Sequence, residues 1–444
     1  MRRLADGAMR GLFQLVRVFF RSIEVDGADR LPERGPVVLI ANHLNGLVDG
    51  LLLIAVLRRY PRFLGKSTLF SIPPLWPFLK LAGVVRVYRP ADGAPAERNA
   101  VTFRTSRRLL ADGGVVALFP EGISHNEPAV QPLRTGAARI ALGAAVDDGV
   151  RGVVAVPVGL VYDAKARFRS RALVRIGEPI AVDAWAAPYR DDPQAAVHAM
   201  TDALAAELRR VAPEYGSWAR AEDLAAVAEI AATADTEATP EVDLAERERL
   251  ARALAAREAD APAEVAALRD ALGSYERELA VLGLTDRQVR EHRGTGRVGV
   301  LIAWSAAKTV VALPFAAAGV VVHVVPYELI RLAAKRPTND SMRATVKLLG
   351  NFALFTIEYT ALAAVVGRRE GVAVGVATFA AAPLCGYAAV RVAERVARTG
   401  GVVGGYRAVR GHRHVVAELL EQRAALGAAA RSVLRGGPPA PGAV

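Results

Sequence analysis

Three apolar stretches, at roughly 298–326, 346–367 and 371–393, dominate the last third of the chain. Each is long enough to cross a hydrocarbon core about 30 Å thick at a helical rise of about 1.5 Å per residue. They account for much of the 52% hydrophobic composition, which is clustered rather than spread. Lys308 and Pro314 interrupt the first stretch, which favours a bent or re-entrant segment over a simple span. The connection 331–347 carries Arg331, Lys335, Arg336, Arg343 and Lys347, and Arg391, Arg395 and Arg398 follow the third stretch. Basic flanks stay on the cytoplasmic side, so one bent segment plus two full crossings keeps both flanks and the preceding domain on the same face. Arg368 and Arg369 in the short outer turn run mildly against this. The expected location is the cell membrane, multi-pass, with the soluble part cytoplasmic.

Ahead of these stretches the pattern changes twice. From 25 to 212 short β-type runs alternate with helical stretches. The strand candidates are 36–40, 84–88, 115–119, 153–161 and 172–176, and helices fit at 47–59, 96–112 and 134–148. Such alternation predicts an α/β domain with a parallel or mixed sheet, whose ligands sit beyond the strand ends. Residues 213–296 are rich in Ala, Glu, Arg and Leu, and read as a helical insert. At the N-terminus, 1–24 reads as an amphipathic helix, with Phe13, Val16, Phe19 and Phe20 set against Arg10, Arg17 and Arg21. It lies in the membrane interface or covers the core of the next domain. The domain order is thus 1–24, 25–212, 213–296, a membrane region 297–398 and a basic helical tail 399–444.

The net charge of +12 suits nucleic acid, an anionic membrane surface or phosphorylated substrates. No zinc-ligand spacing or stacking motif supports nucleic acid. A single cysteine, Cys385 in an apolar run, excludes an intrachain disulfide and a thiolate metal cluster.

Of seven histidines, His43 stands apart, because it directly follows an apolar strand and has a carboxylate, Asp49, six positions on. A histidine whose second ring nitrogen is held by a carboxylate can act as general base toward a hydroxyl. A second strand candidate runs into Phe119-Pro120-Glu121-Gly122, which sets a carboxylate at the sheet edge before a flexible glycine. Gly83-Val84-Val85-Arg86-Val87-Tyr88-Arg89 places two arginines around a β-type run, and Arg134 precedes a helix start. Guanidinium forks and a helix N-terminus suit a phosphate. Each block alone has a plain structural reading as a core histidine, a turn or a solvated surface charge.

In this order the blocks, with Val156-Pro157-Val158-Gly159-Leu160, resemble the glycerophospholipid acyltransferase family, which includes lysophosphatidate and glycerol-3-phosphate acyltransferases. The specific motifs cover residues 20–185. The insert and apolar tail are more loosely similar to a bacterial branch allied to the fungal glycerol-3-phosphate/dihydroxyacetone-phosphate enzymes. The resemblance implies a glycerol-phosphate acyltransferase-type α/β domain, a helical insert and a C-terminal membrane helical region. It implies His43 and Asp49 as the catalytic pair, and Arg86 or Arg89 on the acceptor phosphate. Phe119, Pro120, Glu121, Gly122 and Arg134 would shape the acceptor site, and Pro157 and Gly159 an acyl-site wall. It further implies transfer of a fatty acyl chain from acyl-CoA or acyl-carrier protein, as co-substrate, to glycerol 3-phosphate. Dihydroxyacetone phosphate and 1-acylglycerol-3-phosphate are the alternative acceptors, and no metal or bound cofactor is expected. Membrane lipids are expected partners and nucleic acid is not; a non-enzymatic lipid-binding module is the rival from another class. One departure stands out: the family motif has four residues between His and Asp, and here there are five, 44–48. One extra residue turns a helical side chain by about 100°. Asp49 therefore reaches His43 only if the stretch around Asn45-Gly46 is not regular helix.

Overall fold

The computed structural model describes residues 16–72, 75–88, 96–165, 167, 169–234, 242–291, 298–333, 340–411 and 413–436. The chain divides into two compact units, 1–217 with 338–345, and 218–337 with 346–444.

The first unit is built on an eight-stranded mixed sheet. Its strands are β1 (Phe20–Asp26), β2 (Val37–Ala41), β3 (Pro61–Lys66), β4 (Val85–Val87), β5 (Val115–Leu118), β6 (Val154–Tyr162), β7 (Ser170–Ile176) and β8 (Ile180–Ala181). The order is β1-β7-β6-β2-β5-β3-β4, with β8 paired to β6. Strands β6, β2, β5, β3 and β4 are mutually parallel, β7 and β8 run antiparallel to β6, and β1 runs parallel to β7. The central strands are unbroken apolar runs because helices cover both faces. Val38, Ile40, Val116, Leu118 and Ala155 enter one core with Ala137, Ile140 and Ala141 of helix Gly136–Leu142 and Met200, Leu204 and Leu208 of helix Pro193–Val211. In register, Ile40 lies opposite Leu118 on one side and Pro157 on the other. The parallel strands β2, β5, β3 and β4 therefore end on one edge, and the turns after His43 and Phe119 meet there.

Five expected strands form, with ends moved by one or two residues. Strands β1, β3 and β8 have no counterpart in the sequence reading. The expected helix 1–24 is corrected within the described residues. Only Val16–Phe19 is helical, and Phe20–Asp26 is a strand paired with β7. Its partners lie about 150 positions downstream, so local periodicity could not reveal it, and Phe20 is buried by that pairing. Residues 1–15 lie outside the described residues.

The second unit is helical. Helices Trp218–Thr233, Leu244–Arg257, Pro262–Val281 and Asp286–Glu291 form a bundle that also takes in helix Arg413–Arg435. The buried Arg423 donates to Asp286 Oδ1 at 2.7 Å and to Thr233 Oγ1 at 2.5 Å, and Arg431 to the Ala231 carbonyl at 3.0 Å. The insert and the tail, expected as separate domains, thus share one core, and the tail's central arginine is consumed in holding it.

The apolar stretches also differ from expectation. The first is not re-entrant: one helix runs Val298–Ala333 through Pro314 and Pro326. A proline removes one backbone donor and does not by itself reverse a helix. The second lies in helix Asp340–Glu370, and the third in helix Val372–Gly411. Gly371, at φ 101°, separates those two, a conformation that suits a residue without Cβ. Among the described residues, Ala303–Ala333 and Val372–Ala397 are long and apolar enough to cross a membrane. These two lie in the first and third expected stretches. Much of their apolar surface is open, with Val321 75% exposed.

Candidate active site

The catalytic candidates meet because the chain leaves regular structure at the right place. Strand β2 ends at Ala41, and the next helix begins only at Leu47. Between them Gly46 takes φ 55°, ψ −130°, which a residue with a Cβ adopts only under strain. The break absorbs the extra spacer residue. His43 Nδ1 donates to Asp49 Oδ2 at 2.9 Å, and the backbone N–H of Asn45 donates to the same oxygen at 2.8 Å.

The carboxylate of Asp49 is fully buried, and its other oxygen, Oδ1, accepts from the Tyr162 hydroxyl at 2.5 Å. Three donors therefore converge on one enclosed carboxylate, the satisfaction that a buried charge requires. Burial, then the neighbouring Asp49 charge, pushes the Tyr162 hydroxyl well above its ordinary value. With Nδ1 committed to Asp49, the ring presents Nε2 outward, and the side chain is 18% exposed. Among the described residues Nε2 has no hydrogen-bond partner. Stacking of the ring on Phe119, with centroids 4.0 Å apart and planes 8° apart, fixes its orientation, and Phe63 stacks behind Phe119.

The loop after β5 is stitched to the His43 turn. The backbone N–H of His125 donates to the His43 carbonyl at 3.1 Å, and that of Gly46 to Ser124 Oγ at 3.2 Å. Glu121 is buried beside His125, whose Nε2 meets Glu121 Oε2. His125 Nδ1 accepts from the backbone N–H of Glu127 at 3.1 Å, which assigns the ring hydrogen to Nε2, where it donates to the carboxylate. Glu121 Oε1 is enclosed without a hydrogen-bond partner among the described residues. Gly122, at φ 73°, leaves room for the Arg134 side chain, whose Nε would lie 2.5 Å from any Cβ placed there. Pro120 is buried, and its carbonyl accepts from the Arg134 backbone N–H at 2.8 Å. Arg134 itself is exposed and lies against this turn.

On the other side, Asn42 extends the β2–β6 pairing with its side chain, donating to the Leu160 carbonyl at 3.1 Å and accepting from its N–H at 2.7 Å. Asn45 Nδ2 donates to the Lys165 carbonyl at 3.0 Å. Asn42, Tyr162 and His125 have no role assigned from sequence. Asn42 and His125 each adjoin a motif, but their roles depend on residues on other strands.

Arg86 sits exposed on edge strand β4, its guanidinium 4.4 Å above the Phe70 ring. With Arg62 and Lys80 it lines a cavity of about 500 Å³. Arg89 lies outside the described residues. Pro157 and Gly159, the expected acyl-site wall, lie inside the fold. Both are buried; a Cβ on Gly159 would run into the Val211 carbonyl, and Pro157 packs on Gly177. The C-terminus of helix Pro193–Val211 fills that face of the sheet.

Residues 22–161 match the family model described as Acyltransferase. A glycerol-3-phosphate O-acyltransferase 2 of Saccharomyces cerevisiae is 39% identical over 121 residues, which is 26% of this chain and 16% of that protein. An uncharacterized acyltransferase of Schizosaccharomyces pombe is 26% identical over 253 residues, 38% of each chain. The chain thus spans well under half the length of these curated relatives. Among solved structures, the 1-acyl-sn-glycerophosphate acyltransferase of Thermotoga maritima is 19% identical at a TM-score of 0.35, over 47% of this chain and 80% of that one.

Proposed function

We propose that this chain, whose residues 22–161 match the Acyltransferase family model, moves a fatty acyl group from an acyl thioester to a hydroxyl of glycerol 3-phosphate. The observation that carries the reading is the His43–Asp49 bond of 2.9 Å, with Nε2 turned outward. The name of the budding-yeast relative supports the acceptor.

In this mechanism His43 Nε2 takes the proton of the acceptor hydroxyl as its oxygen attacks the thioester carbonyl. Asp49 holds the ring in the tautomer that leaves Nε2 free and stabilises the imidazolium that forms. The tetrahedral intermediate collapses, the C–S bond breaks, and the imidazolium returns its proton to the departing thiolate. Ester and free thiol leave, and His43 is neutral again. Arg86 and Arg134 are the described cations suited to the acceptor phosphate, and Glu121 with Gly122 shapes the turn between them and the base. The reading invokes acyl-CoA or acyl-carrier protein as co-substrate and no further cofactor. Helices Val298–Ala333 and Val372–Gly411 would hold the chain in the bilayer that receives the product, with the acyltransferase domain on the cytoplasmic face.

The test uses the detergent-solubilised full chain, a labelled acyl donor, and glycerol 3-phosphate, dihydroxyacetone phosphate and 1-acylglycerol-3-phosphate offered separately. Turnover fastest with glycerol 3-phosphate is expected. Turnover confined to 1-acylglycerol-3-phosphate would move the acceptor assignment, and none with any of them would overturn it.

A further inference from the structure

The positive charge of this chain is not evenly spread. Between Arg58 and Ala111 the sequence carries eleven Arg or Lys against two Asp or Glu, most of its +12 excess. The fold gathers the segment at one end of the sheet, as β3, the edge strand β4, helix Trp76–Leu81 and helix Asn99–Ala111. Lys80, Arg86 and Arg104 are exposed there, with no acidic partner among the described residues.

Large apolar side chains stand out of the same surface. Trp76 is 42% exposed, Leu81 53% and Val101 57%. They are continuous with the cations: Lys80 Nζ lies 5.4 Å from the Trp76 ring, and Lys80, Leu81, Arg86 and Val101 share the rim of the 500 Å³ cavity. An apolar patch that served only the domain's own core would be covered, and a purely solvated basic face would not expose a tryptophan. Indole beside ammonium, with aliphatic tips among guanidinium groups, is the composition that favours a membrane–water interface. Anionic headgroups attract the cations while the apolar tips enter the acyl boundary.

We propose that this edge, centred on Trp76, Lys80 and Leu81, docks onto the surface of an anionic lipid bilayer. The surface lies in the acyltransferase domain itself. It holds the β4 edge, and with it Arg86, at headgroup depth. An acidic carrier protein would satisfy the charges, but the exposed tryptophan and aliphatic tips favour lipid.

The experiment places the full chain in nanodiscs of zwitterionic lipid or of mixed zwitterionic and anionic lipid, each with and without brominated acyl chains. Trp185, Trp218 and Trp304 are replaced by Phe, so that emission reports Trp76. Expected is quenching by brominated chains in the anionic discs, reduced about twofold or more by Lys80→Glu or by about 0.5 M salt. In parallel, hydrogen exchange over residues 67–82 of the unsubstituted chain should slow in anionic relative to zwitterionic discs. This arm stands if the tryptophan variants fold poorly. Exchange and quenching that ignore lipid charge would overturn the proposal. So would protection of this segment by an added acidic carrier protein in zwitterionic discs, with no effect of anionic lipid.

Discussion

Tyr162 donates its hydroxyl hydrogen to Asp49 Oδ1 at 2.5 Å, while Asp49 Oδ2 holds His43 at 2.9 Å. The two residues come from β6 and from the first turn of the helix after β2, so the base is set by a bridge from a strand to a helix. Tyr162→Phe removes one of three donors to a buried carboxylate, leaving its volume filled. We expect kcat to fall about 10- to 100-fold with the acceptor KM nearly unchanged, since a single hydrogen bond to a charged group is worth about 1.5–3 kcal/mol. Steady-state kinetics on the purified variant checks this, and an unchanged kcat would remove Tyr162 from the arrangement.

The same bond sets an alkaline limit on stability. Burial and the Asp49 charge raise the Tyr162 hydroxyl well above its usual value. The unfolded chain's tyrosine releases its proton at about pH 10, while the folded one retains it. Stability is therefore fully present below that pH and drains as pH rises through and beyond it, at up to about 1.4 kcal/mol per pH unit. Thermal unfolding from pH 9 upward should show this slope, and Tyr162→Phe should flatten it.

His43→Ala should lower kcat by about 10²- to 10⁴-fold, the usual contribution of a general base. Asp49→Asn should cost a comparable factor while leaving the fold intact, because the amide fills the same space but no longer fixes the ring. Full activity in either variant would end the general-base reading.

Gly122→Ala tests the turn after β5. A Cβ at φ 73° is strained, and this one would meet Arg134 Nε at 2.5 Å. A cost of about 1–2 kcal/mol in stability is expected, together with a raised acceptor KM as the Arg134 side chain is pushed aside. A denaturation curve and a KM measurement separate the two effects.

In the helical bundle, Arg423→Met leaves Asp286 and Thr233 without their shared donor. The guanidinium is buried and Asp286 only partly so, which points to a loss of about 2–3 kcal/mol. Differential scanning calorimetry would register it, and an unchanged transition would show that the tail is not part of the bundle core.

Most of the site's raw material was legible along the chain. His43, Phe119 and Glu121 each sit at or just past the end of an apolar run, Arg86 lies within edge strand β4, and side chains at the ends of parallel strands share an edge. The α/β alternation, the helical insert and the long apolar helices were legible for the same reason: periodicity and apolar run length are local properties. What sequence could not supply was anything that depends on a partner far along the chain. Strand β1 forms because β7 lies beside it, and Pro157 and Gly159 are closed off because a later helix ends against them.

The His43–Asp49 pair divides along the same line. Sequence alone determined that a histidine and a carboxylate flank a turn containing Asn45-Gly46, with one residue too many for a regular helix. Only the tertiary structure decided that they meet. The glycine breaks the helix at φ 55°, the Asn45 N–H takes up one carboxylate oxygen, and Tyr162 reaches from β6 to hold the other. A buried carboxylate is stable only with its acceptors filled, and those donors come from the packing of distant strands.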